Sequence, residues 1–171
     1  MTLPIDAVQY RLSGGASNLN PHASLGGVMS SQHVGVGLEN LFDNVSAAEL
    51  TAGDIEYRCY YVRNNDGTDT LTGATIYFYM DTPSPDTVFD MGKDPAGIGN
   101  GITTGVATTV INESTAPAGV TFSHPIDQLS GIALGNLTPG NGHAVWLRRT
   151  VTAGGTAAAW DAVKIRVEGG R

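Results

Sequence analysis

The chain has 171 residues, among them 23 Gly, 8 Pro and one Cys, and its 9 Lys+Arg against 16 Asp+Glu give a net charge of −7. Charged residues make up 15% of it, well below the roughly 25% usual in soluble domains, and Gly, Thr, Ser, Asn and Ala take their place. Acidic balance with only two lysines argues against nucleic acid or an anionic membrane as the main partner, and a lone cysteine excludes a disulfide framework or a CxxC zinc site.

The length suits one domain, or one domain with an extended arm. Met1 to Asp6 hold a proline and an acid where a signal peptide needs basic charge and an apolar run. No stretch reaches the about 18 uninterrupted apolar residues of a membrane span. The expectation is a protein made in the cytosol.

Residues 1–51 are rich in Gly, Ser and Asn and hold only short apolar pieces, Val8 to Leu12 and Val28 to Ser31. They read as an N-terminal arm, with residues 52–171 as the folded domain. Within the arm, Leu38, Leu41, Phe42 and Val45 fall at helical spacing, and Ser46 is placed to cap a turn over Ala47 to Leu50.

Strand patterning begins at Asp54. Through Asn64, Ile55, Tyr57, Cys59 and Tyr61 alternate with Glu56, Arg58 and Tyr60. Asn64-Asn65-Asp66-Gly67 supplies turn chemistry. Ala74 to Met80 follows, with Ala74, Ile76 and Phe78 on one face and Thr75, Tyr77 and Tyr79 on the other. Shorter strands are predicted at Thr87 to Met91, Thr108 to Asn112, Val120 to Ser123 and Ser130 to Leu134. His143 to Thr152 and Ala162 to Glu168 alternate more strongly, with Arg149 an unexplained charge on an apolar face. Short strands without intervening helices predict an all-β antiparallel sandwich, Ig-like or jelly-roll, because alternation does not reveal strand order.

Chemistry is sparse. There is no G-x-S-x-G elbow, and Cys59 sits on the apolar face of a strong strand, as a buried core residue would. His22, His33, His124 and His143 are scattered without metal-ligand spacing. Asp81, Asp86, Asp90 and Asp94 flank a Pro-rich loop but match no EF-hand pattern, and Asp suits turns and caps. Gly97 to Gly101 is glycine-rich without the features of a phosphate loop. The expectation is a non-enzyme with no catalytic residue, cofactor or metal. Tyr60, Val62, Tyr77 and Tyr79 make a face too apolar for plain solvent, covered by the arm or by another subunit. Tyr60, Tyr77, Tyr79, Trp146 and Trp160 are the candidate interface anchors, and as aromatic residues they are also candidates for a sugar platform.

Five stretches carry a resemblance: Glu39 to Glu49, Gly53 to Asn64, Thr82 to Thr87 with Asp94 to Gly97, Glu113 to Phe122, and Leu137 to Gly140 with Ala144 to Val151. Together they cover roughly the last three-quarters of the chain. The pattern resembles one recurrent in virion structural proteins of tailed bacteriophages. The resemblance implies a sandwich that decorates or cements the capsid, or that belongs to the tail, neck or baseplate, with no catalytic residues. The expectation is a capsid decoration protein, made in the host cytoplasm and placed on the virion surface. It would bind the major capsid protein and itself, as a homo-oligomer expected to be a trimer, with the arm draped across a neighbour. A carbohydrate-binding module for host adhesion is the alternative from another class.

Overall fold

The computed structural model describes residues 7–37, 39–159 and 161–171. Residues 1–6 of the expected arm, Leu38 of the helical pattern and the candidate anchor Trp160 lie outside the described residues. The elements in chain order are β1 (Val8–Leu12), β2 (Gly26–Gly27), α1 (Ala47–Ala52), β3 (Asp54–Asn64), β4 (Leu71–Met80), β5 (Thr87–Gly99), β6 (Ala107–Thr109), β7 (Ile132–Leu137), β8 (Gly142–Val151) and β9 (Lys164–Gly170).

The expected all-β sandwich is present. One sheet runs β1-β3-β8-β5 and the other β7-β4-β9, with all neighbours antiparallel. Taken in chain order, β1, β3, β4, β5, β8 and β9 follow the A-B-E-D and C-F strand order of the immunoglobulin sandwich. β7 is added on the far side of β4.

The main core fills the space between the sheets. Leu12, Tyr60, Val62, Met91, Val145 and Leu147 come from the first sheet, and Leu71, Ile76, Phe78, Leu134 and Leu137 from the second. A second core lies on the opposite face of the four-stranded sheet. There Tyr57, Cys59, Tyr61, Ala144 and Trp146 are covered by Met29, Ala107 and Val110. With both faces covered, β3 is buried without a break from Glu56 to Val62.

This second layer corrects the reading of residues 1–51 as an arm. β1 pairs with β3 over its whole length, from Val8 opposite Asn64 to Leu12 opposite Tyr60. Beyond β1, the Cys59 N–H donates to the Ser24 carbonyl at 2.7 Å, and the Ser13 hydroxyl donates to the Cys59 carbonyl at 2.9 Å. The β2–β6 ribbon is pinned by Tyr61, whose hydroxyl donates to Gly27 O at 2.6 Å and accepts from Ala107 N–H at 2.8 Å. A segment poor in apolar residues joins the fold through backbone hydrogen bonds, which composition does not register.

Other boundaries move for local reasons. The helix is confined to α1, held by a capping box in which Ser46 Oγ accepts from the Glu49 N–H and Glu49 accepts from the Ser46 N–H. The preceding Leu41 and Phe42 pack into the main core instead of forming a helical turn. Val120 to Ser123 contributes one bridge, Ser123 to Met91, in place of a strand.

Candidate functional site

Of the four predicted anchors among the described residues, three are buried and one is exposed. Trp146 is 0% exposed, and its Nε1 donates to Asp94 Oδ2 at 2.9 Å. Tyr60 is equally buried, in the main core. Neither ring reaches a partner, because β3 and β8 are the inner strands of a sheet covered on both faces. Tyr77 is buried beside Arg166 and Glu168 of β9. Among the described anchors Tyr79 alone is exposed, with the Arg166 guanidinium 4.6 Å from its ring centre. These four do not come together as one surface.

What the structure brings together is charge. Register places Glu56 of β3 directly opposite Arg149 of β8, and Arg149 Nε donates to Glu56 Oε2 at 2.7 Å. Arg149 also donates to the Asp43 carbonyl. Arg58, with no exposed surface, pairs with Glu113 and lies 3.6 Å from Glu56. The Phe42 ring accepts both guanidiniums, with Arg58 Cζ at 5.4 Å and Arg149 Cζ at 5.0 Å from its centre. Burial pushes the Glu56 carboxyl upward, and the Arg149 charge pulls against that shift. Each charge is spent fixing a loop, the 39–45 segment through Asp43 and the 111–116 loop through Glu113.

The predicted lone charge Arg149 thus has its partner directly across the ladder. Glu56 and Arg58 were legible as strand residues, but their burial was not. The one available signal was an Arg among apolar neighbours, which demands a buried carboxylate.

The four aspartates of the Pro-rich region do separate work. Asp90 accepts from Arg148 at 2.6 Å, Asp86 accepts from the Thr156 N–H, and Asp81 contacts His124 Nε2 at 3.0 Å. Asp94 accepts from Trp146 and from the Thr108 N–H. Among the described residues, Glu49, Asp54 and Glu56 come close enough to share a cation, but Glu56 is committed to Arg149 and Glu49 to the Ser46 N–H. Cys59 is fully buried, and burial pushes its thiol well above the usual range. It therefore lacks the thiolate character a nucleophile needs.

A groove of about 740 Å³ opens between the two sheets on the side where β1 and β9 approach. Tyr10, Val34, Phe42, Tyr60, Val163 and Ile165 line it. Burial raises the Tyr10 phenol to about 12, partly offset by a hydrogen bond from the backbone of Val167. The Tyr60 hydroxyl is buried without a hydrogen-bond partner among the described residues. Comparison with protein-family models, with curated proteins and with solved structures found no match.

Proposed function

We propose that this chain is a structural protein of a tailed-phage virion, a decoration protein that binds the major capsid protein and other copies of itself on the head surface. The observation that carries the reading is the charge network built on buried Glu56, Arg58 and Arg149, with exposed Asp43 and Glu113 at its rim. Its members come from four of the stretches that resemble virion proteins: Asp43 from the first, Glu56 and Arg58 from the second, Glu113 from the fourth and Arg149 from the last. The shared pattern therefore encodes a scaffold that locks loops onto a sheet. Such a rigid body suits a mechanical role, in which binding to the assembled shell stabilises it by mass action without chemistry.

For the carbohydrate-module alternative, Trp146 is sealed beneath the β2–β6 ribbon and offers no ring to a sugar, while Tyr79 is exposed. The test is fractionation of virions that carry the chain. Heads freed of tails should retain it, and shells stripped of it should lose heat resistance. Recovery with the tails alone would overturn the decoration reading in favour of a tail, neck or baseplate component.

A further inference from the structure

The sandwich edges are not equally protected. An unpaired strand edge invites another strand unless it is covered or distorted. The outer edge of β1 is covered by residues 30–34, through Ser30 N–H to Leu12 O at 2.8 Å, Leu12 N–H to Gln32 O at 3.0 Å and Val34 N–H to Tyr10 O at 2.9 Å. β5 is bridged by Ser123, with both Met91–Ser123 backbone bonds made. β7 and β9 are the two edges of the three-stranded sheet, and among the described residues no strand pairs with the outer side of either. The β7 ladder is broken by register shifts around Ala74 and its Ala133 carbonyl accepts from Lys93 Nζ at 3.0 Å, whereas β9 carries no such cover. The Tyr10 hydroxyl meets that second edge at the Val167 backbone, a contact that an added strand would replace. This is the position strand G takes in the immunoglobulin order.

The sequence of β9 complements itself. Ile165 and Val167 turn toward the main core and are only partly buried, while Lys164, Arg166 and Glu168 alternate on the outer face. We infer that β9 pairs antiparallel with β9 of a second copy about a two-fold axis at Arg166, joining two three-stranded sheets into one of six strands. In this register Lys164 faces Glu168 of the other copy, and Ile165 faces its Val167. Two opposite-charge pairs and two apolar pairs form at once, each of the kind that stabilises neighbouring strands. Arg166 would meet its own symmetry mate, but its charge is already engaged by the Tyr79 ring and by Glu168 at 3.5 Å. A shift by one residue would turn apolar side chains onto the charged face, so the register is strongly constrained. Tyr79, the one exposed anchor among the described residues, stacks on Arg166 at this seam. An isologous contact of this kind gives a dimer in place of the trimer expected from sequence.

This inference does not rest on the virion reading, and it is tested on the isolated full chain. Sedimentation equilibrium should show a monomer–dimer equilibrium with a Kd of roughly micromolar order, as befits a small seam. Lys164→Glu and Glu168→Lys should each weaken the dimer by roughly tenfold, since each creates two like-charge pairs. The double variant, with the charges exchanged, should restore it. Chemical unfolding of each variant checks that substitution at exposed Lys164 and half-buried Glu168 leaves the fold intact. A chain that stays monomeric up to about 1 mM, a dimer indifferent to both single substitutions, or a double variant as weak as the singles would each overturn the inference.

Discussion

Arg149 illustrates how a single side chain depends on its neighbours. It is 5% exposed and opposite Glu56, which is 2% exposed. Removing one member of a buried pair strands the other, at a cost of about 3–5 kcal/mol, whereas replacing both with apolar groups is often neutral or better. Arg149→Met should therefore lower the unfolding free energy by about that amount, and adding Glu56→Leu should recover most of it. A double-mutant cycle in denaturant measures both, and additive losses would contradict the pairing. His143 makes a different prediction. It is buried on β8, and burial depresses its pKa below 6.5, helped by Lys93 and opposed by the Ala144 carbonyl and Asp94. Between the folded value and 6.5 the unfolded chain holds more protons, so stability is full above about 6.5 and falls as pH drops through the folded value. The slope approaches about 1.4 kcal/mol per pH unit within that window. His143→Gln should flatten the pH dependence of unfolding there, and an unchanged slope would reject this assignment.

At the level of elements, close approach and capping decide what patterning leaves open. The two-residue strand β2 carries no apolar side chain, yet it seals Trp146. It does so because Gly26 has φ +86° and comes so close that a Cβ would lie 1.7 Å from Thr108 O and 3.0 Å from Trp146 Cζ2. Gly26→Ala should cost about 3 kcal/mol through positive φ and overpacking, read as a shift in the urea midpoint with a changed near-ultraviolet signal from Trp146. A shift below about 0.5 kcal/mol would show that the ribbon yields freely. β3, β8 and the Ser46 cap were legible from sequence because each is specified by residues adjacent in the chain; the reciprocal Glu49 bond was not read. The strand predicted at Val120 to Ser123 was not realised, since its half-buried Val120 and Phe122 are used to cover the second core. Their apolar spacing has the same appearance in either role.

Across the whole molecule, the scarcity of charge has an internal explanation. Glu56, Arg58, Asp90, Asp94 and Arg149 are all buried, so the surface is poorer in charge than the composition implies. The described part of the N-terminal third packs into the same fold. It supplies β1, the Ser13 and Ser24 contacts to Cys59, and Met29 over the second core. A chain lacking residues 1–51 should therefore show no cooperative thermal transition by circular dichroism, whereas retention of one would restore the separable arm. The sequence by itself determined the all-β class, the turn after β3, the alternation of the long strands and the burial of Cys59, because these follow from local periodicity and residue size. Only the tertiary structure decided which aromatic residues are internal, which carboxylate meets Arg149, and which strands form the open sheet edges. Those outcomes depend on strand order and register between segments up to 106 residues apart, and alternation is the same for every order in which the strands could pair.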